Sequence, residues 1–289
     1  MKVLLTGGKG MLGRTLCHSL TEASFQVIPT DLPEADITDP ESIEKVIAFH
    51  QPDVVIHCAA MTAVDLCETE QEKAFCLNEK GSGNVAKACN RHHVRLIAIS
   101  TDYVFDGTAE RPYRESDPAN GGHTVYGKSK YAGEQAVQHF CPDHLICRIS
   151  WLYGAGGPSF VHTMLKLADG TRPELKVVSD QIGNPTSTEA VAAHLKILLQ
   201  HKEIRGIVHL TCEGQASWYD LACEIFRFMD IKQKLVPCST QDFPRPAPRP
   251  ANSRLEKERL RFLGLPAMPE WREALHDFLK KEFPGQIKR

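Results

Sequence analysis

The sequence predicts an α/β protein: a doubly wound parallel sheet with helices on both faces, and a smaller C-terminal lobe. Three observations carry this. Short apolar runs alternate with helix-length segments through residues 1–150, and that order favours a parallel sheet covered on both sides. Gly7, Gly8, Gly10 and Gly13 cluster between the first strand and the first helix. An acid, Asp31, closes the second strand.

The elements follow in order. Residues 2–5 are an apolar run that stops at Thr6 and the glycines. Residues 11–20 read as helix and 26–29 as a second strand, stopped by Asp31, Leu32 and Pro33. Residues 39–50 open with an acidic turn after Thr38, which reads as the N-cap. The run at 54–58 suits a strand buried on both faces. Residues 70–90 read as one long helix and 96–99 as strand, with an irregular stretch to about 124. Val125–Phe140 is helical and 145–150 is strand.

After Trp151 the rhythm changes. Residues 160–168 read as helix, 176–179 as strand, Thr188–Gln200 as an amphipathic helix and 206–211 as a core strand. Residues 217–229 form a helix with Ser217 as N-cap, and 270–282 the last helix. The PRPAPRP stretch at 244–250 is an extended loop, because each proline fixes φ and disfavours helix in the residue before it. A PxxP ligand is the alternative reading.

Composition narrows the classes. Of 289 residues, 42% are hydrophobic and 24% charged, which fits a globular chain with a sizeable core. Lys and Arg total 34 against 36 Asp and Glu, a net charge of −2. That balance gives no electrostatic case for a nucleic-acid or membrane-surface partner. No apolar run reaches the ~18 residues of a membrane span, and the N-terminal run is too short for a secretory signal. Ten cysteines show no CxxC, and thirteen histidines no HxxxH or HExxH. The expectation is a cytoplasmic protein with reduced, mostly buried thiols.

The glycines at 7, 10 and 13 suit a strand-to-helix turn that lets backbone approach a dinucleotide pyrophosphate. The helix N-terminus then offers free N–H groups and the positive end of its dipole. Asp31, 24 residues after Gly7, is placed to accept hydrogen bonds from the adenosine ribose. This is the pattern of a Rossmann dinucleotide-binding fold. A carboxylate repels a 2′-phosphate, so Asp31 leans the cofactor toward NADH, while Lys9 and Arg14 leave NADPH open.

Tyr126 and Lys130 stand four residues apart and share a helix face. A nearby ammonium lowers a phenol pKa of about 10, making a proton donor, and can also hold the nicotinamide ribose. Ser100, Thr101 and Asp102 end a predicted strand, at the sheet edge where ligands bind. A hydroxyl there can hydrogen-bond a substrate carbonyl beside the tyrosine.

Glycine turn, strand-end hydroxyl and YxxxK together resemble the extended short-chain dehydrogenase/reductase superfamily. Longer strings narrow the resemblance to the dTDP-4-dehydrorhamnose reductase family: STDYVFDG at 100–107, YGKSKYAGE at 126–134, SWLYG at 150–154, SDQIGNPTS at 179–187 and RPANSRL at 249–255. AAMTAVD at 59–65 is similar to that family's AAxTxVD segment. The resemblance covers nearly the whole chain.

It implies an oxidoreductase that reduces the C4 ketone of dTDP-4-dehydro-β-L-rhamnose with NADH or NADPH, in dTDP-rhamnose and polysaccharide biosynthesis. Thr101, Tyr126 and Lys130 would be catalytic. The turn at Gly7, Gly10, Met11, Leu12 and Gly13, with Asp31, would hold the cofactor. So would Asp36 and Ile37 against the adenine, Ala59, Ala60 and Thr62 along the cleft, Asn78 on the long helix, Ser100, and Tyr126 and Lys130 themselves. Thr101, Asp102, Tyr103, Trp151, Gln181, Asn184 and Arg249 would meet the nucleotide-sugar substrate. Trp151 reads equally as a core residue, and Arg249 as a surface charge of the Pro-rich loop. Residues 1–150 with about 176–211 would form the dinucleotide-binding domain. About 151–175 with 212–289 would form the substrate-binding lobe.

Some family members bind magnesium at a dimer interface through acids, one of them just after the glycine turn. Thr15 stands there and Glu189 is alone, so no interface metal is expected and a homodimer stays open. Two alternatives remain: a reductase of another nucleotide-linked 4-keto-6-deoxy sugar, or a non-catalytic subunit resembling the methionine adenosyltransferase β subunit. Fold does not fix function.

Overall fold

The computed structural model describes residues 1–285. Strands β1 (Lys2–Thr6), β2 (Gln26–Thr30), β3 (Val54–His57), β4 (Arg95–Thr101) and β5 (His144–Ile149) build the first half. Between them run α1 (Met11–Glu22), α2 (Pro40–His50), α3 (Val64–Thr69), α4 (Gln71–Phe75), α5 (Ser82–Arg91) and α6 (Val125–Phe140). Then come β6 (Leu152–Tyr153), α7 (Phe160–Leu167), β7 (Glu174–Val178), β8 (Ile182–Gly183), β9 (Thr186–Ser187), α8 (Thr188–Gln200) and β10 (Gly206–His209). The chain ends with β11 (Ala216–Ser217), α9 (Trp218–Phe228), β12 (Lys234–Cys238), α10 (Glu258–Phe262) and α11 (Trp271–Glu282).

Six parallel strands form the main sheet in the order β2-β1-β3-β4-β5-β10. Alternate side chains enter two cores. Val3, Leu5, Val54, Ile56 and Leu145 pack with Leu16 and Leu20 of α1 and Val191 and Leu195 of α8. Leu4, Val55, Leu96 and Ile146 pack with Ile43 of α2, Val85 of α5 and Val137 of α6. Each such side chain contributes about 1.5–3 kcal/mol of burial. The first core runs on into the lobe through Leu221, Ile225, Trp271 and Phe278. From β1 the chain goes outward to β2 and returns on the other side to β3, so the strand order reverses there. Ligands bind at the carboxyl ends of strands at such a reversal.

Three expectations need correction. The cap of α2 is Asp39, whose carboxylate accepts Glu41 N–H at 3.0 Å, because Pro40 begins the helix. The Thr38 hydroxyl donates instead to Asp36 at 2.7 Å. The long helix at 70–90 is interrupted by a wider π turn at Cys76–Gly81. There α6 approaches so closely that a Cβ at Gly133 would stand 2.2 Å from the Asn78 carbonyl. The third concerns β7, which pairs with β12 outside the main sheet. The chain rejoins the sheet only with β10, beside β5, after α8 has packed on α1.

Ser217 does cap α9, in a reciprocal box with Asp220. All ten cysteines are free thiols. Among the described residues no helix is long and apolar enough to cross a membrane.

Candidate active site

The carboxyl ends of β1, β3, β4 and β5 open on a cleft of about 560 Å³. Its floor begins at the glycine turn. Gly7 has φ +73°, and a Cβ there would stand 2.7 Å from Ala59 N. A Cβ at Gly13 would meet the Gly7 carbonyl at 2.2 Å. Gly10 is the N-cap of α1, with no side-chain cap and no acid in the first turn. The helix N-terminus is therefore open, with free N–H groups and a positive dipole end. That cradle fits a dinucleotide diphosphate.

Asp31, Asp36 and Ile37 line the cleft beyond the turn, with Ala59, Ala60 and Thr62 opposite. Asp31 accepts Lys9 N–H at 2.9 Å, which ties the end of β2 to the turn. Lys9 Nζ is occupied by the Leu32 carbonyl at 2.9 Å, and Arg14 Nε by the Lys9 carbonyl at 2.8 Å. Hydrogen bonds from the Thr38 side chain and backbone hold the Asp36 pKa down.

The reacting end lies where β4 meets α6. Thr101, Asp102, Tyr103 and Tyr126 all line the cleft. Tyr103 and Tyr126 stand edge to face, 5.4 Å between centroids. Burial pushes the Tyr126 pKa up, the hydrogen bond with Thr101 pulls it down, and the charges of Asp102 and Cys67 add to the rise. Lys130 Nζ donates to the Ile99 carbonyl at 2.9 Å, and burial lowers its pKa to about 8 while Glu134 opposes. The expected acidification of Tyr126 by Lys130 is not what this arrangement provides.

Trp151 closes the far wall at φ +47°. Its indole N–H donates to Ser253 Oγ at 2.9 Å, and its ring stacks on Trp218 at 3.5 Å between centroids.

The model of the RmlD substrate binding domain family matches residues 1–283. The chain belongs to that family. A dTDP-4-dehydrorhamnose reductase of Streptomyces griseus is 41% identical over 278 residues, 94% of this chain and 91% of that one. The crystal structure of a dTDP-4-dehydrorhamnose reductase from Clostridium acetobutylicum superposes with a TM-score of 0.94 at 42% identity, covering 98% of this chain and 99% of that chain. One from Bacillus anthracis, in complex with NADP, gives 0.93 at 37% identity, covering 97% and 99%.

In this RmlD-family chain several expected site residues stand off the cleft wall. Asn78 is fully buried, bracketing both the N–H and the carbonyl of Met61 (2.8 and 3.1 Å) and donating to Ser129 Oγ at 2.9 Å. Ser100 is buried with its hydroxyl unpartnered among the described residues. Asn184 donates to the Gly214 carbonyl at 2.6 Å and accepts Leu255 N–H at 2.7 Å, so it braces the lobe. Gln181 accepts Trp218 Nε1–H at 3.0 Å and donates to Thr240 at 3.0 Å. The fork of Arg249 is taken by Asp65, at 2.9 and 3.0 Å. Thr15 donates to Thr188 at 2.9 Å.

Two residues that back the cleft wall through Trp151 were not singled out from the sequence. Trp218 supplies the ring under Trp151, and Ser253 holds the Trp151 indole. Nothing in local spacing links either to residue 151; the RPANSRL string at 249–255 was the one pointer to Ser253.

Proposed function

We propose that this RmlD-family chain reduces the C4 ketone of dTDP-4-dehydro-β-L-rhamnose to dTDP-β-L-rhamnose with a reduced nicotinamide cofactor, NADH in preference to NADPH. One observation carries the reading. The Thr101 hydroxyl and the Tyr126 phenol reach the same cleft as an open, glycine-built helix N-terminus. A purely regulatory subunit needs no such pair. The relatives named above as dTDP-4-dehydrorhamnose reductases support the sugar.

The cofactor residues would be the glycine turn for the diphosphate and Asp31 for the adenosine ribose. A bound reduced nicotinamide would supply the hydride to the ketone carbon. As negative charge grows on the ketone oxygen, Tyr126 gives it a proton. Thr101 orients that oxygen. Lys130, lowered to about 8 by burial, holds the ribose side of the site. Such proton donation contributes about 10²–10⁴-fold in rate. Asp31 supports NADH, since a 2′-phosphate would face a carboxylate while the nearest cations already serve backbone carbonyls. In this reading residues 1–150 with α8 and β10 hold the cofactor, and the rest of the chain holds the nucleotide sugar.

The test is loss of reduced-nicotinamide absorbance on mixing the protein with dTDP-4-dehydro-L-rhamnose, with NADH and NADPH in separate runs. Tyr126→Phe should cut kcat by about 10²–10⁴-fold while cofactor affinity, read by fluorescence titration, stays unchanged. Absence of oxidation with either cofactor, in protein that binds one of them, would sink the reading.

A further inference from the structure

Thr101 has one hydroxyl proton, and the charge state of Asp102 decides where it goes: beside an ionised carboxylate it is drawn to Asp102. Thr101 Oγ1 donates to Asp102 Oδ1 at 2.9 Å and accepts from Tyr103 N–H at 3.2 Å. A hydroxyl whose proton is committed there cannot also donate to a ketone oxygen. Asp102 is 4% exposed, and its other oxygen, Oδ2, is buried with no partner among the described residues. An ionised carboxylate with an empty buried oxygen is costly, whereas a carboxylic acid in the same place is a donor.

The neighbours of Asp102 come from four parts of the fold. Tyr126 faces it from α6, and Tyr103 adjoins it on its own turn. Ser253, which receives the Trp151 indole from the end of β5, lies near enough to favour its charged form without bonding Oδ2. Arg249 and Asp65 pair with each other beyond Tyr103.

We propose that Asp102 is a positioning residue for the ketone reduction: as the neutral acid it donates to Thr101 Oγ1, which turns the threonine proton toward the substrate oxygen. This deepens the reductase reading and rests on it. No covalent bond is made or broken by Asp102; only the direction of two hydrogen bonds changes. The neutral form helps in a second way. An ionised Asp102 raises the Tyr126 pKa, so it opposes the phenolate left when Tyr126 gives up its proton.

The sign follows. Burial pushes the Asp102 pKa up to about 7, against the hydrogen bond of Thr101 and the nearby Ser253 hydroxyl. The productive acid is present below that value and lost as pH rises through it. Lys130, near 8, gives a separate limb that a change at Asp102 leaves in place.

The experiment is the pH profile of kcat with dTDP-4-dehydro-L-rhamnose for wild type, Asp102→Asn, Thr101→Val and the double variant. An asparagine amide donates to Thr101 at every pH. Wild type should lose about tenfold per pH unit above that pKa, while Asp102→Asn should show only the Lys130 limb. The double variant should match Thr101→Val, since Asp102 acts through Thr101. A readout apart from turnover guards against a variant that fails to fold. In wild type without cofactor, the infrared stretch of a protonated carboxyl group should fade as pH passes about 7.

Superimposable profiles for wild type and Asp102→Asn overturn the proposal, and so does the absence of any carboxyl titrating near that pH. Additive losses in the double variant overturn it as well. No ketone reduction by wild type at any pH overturns the reductase reading instead, and the proposal falls with it; the infrared titration then still reports the acid itself.

Discussion

Tyr126 and Lys130 share one face of α6, yet the structure gives them different partners. Tyr126 answers to Thr101 and Asp102; Lys130 answers to the Ile99 carbonyl. Their pairing was legible because four-residue spacing is a local property of a helix. The roles of Asn184 and Arg249 were not. The partner of Arg249, Asp65, lies 184 residues away in sequence. A bidentate ion pair at that separation leaves no local pattern. The place of Asp31 on the cleft wall was legible, and its proposed role makes a clear prediction. Asp31→Ala should shift the ratio of kcat/KM for NADPH over NADH upward by roughly tenfold, the equivalent of ~1.4 kcal/mol. An unchanged ratio would show that the carboxylate does not face the 2′ position.

At the level of elements, the turn between β1 and α1 concentrates the constraint. Gly13→Ala would drive a methyl into the Gly7 carbonyl, 2.2 Å from the new carbon. The backbone must then move apart, at a cost of about 1–3 kcal/mol. Thermal denaturation should register the loss, and calorimetric titration should show cofactor binding abolished or much weakened. The β-α-β series was readable because alternating apolar strands and amphipathic helices write their own periods. The π turn at Cys76–Gly81 was not. It reflects the close approach of α6 at Gly133, a tertiary event that residues 70–90 do not encode by themselves.

For the molecule as a whole, two buried histidines set a limit on acid tolerance. His57 bridges the Thr6 and Ser82 side chains, and His209 meets the Glu256 carbonyl. Burial holds both pKa values down to about 3, with the charge of Lys130 or Arg148 assisting. A base with a lowered folded pKa stays neutral in the native state while the unfolded chain takes up protons near 6.5. Stability is therefore full above that value and falls as pH drops toward 3. Urea midpoints should fall across this window, and a His57→Asn, His209→Asn double variant should show a shallower slope. The lobe was the least legible part at this scale. Its paired strands, β7 with β12 and β8 with β11, are joined from segments far apart in the chain.

The Trp151–Trp218 stack has an optical consequence. Two stacked indoles 3.5 Å apart, their planes 2° from parallel, couple their electronic transitions, and a twist of one ring within the stack gives a couplet in circular dichroism. One ring follows the last strand of the first half, and the other opens α9 of the lobe. A ligand that inserts between them, or a hinge motion that parts them, should erase the couplet without any label. The wall of the cleft thus carries its own optical reporter of whether that stack stays closed.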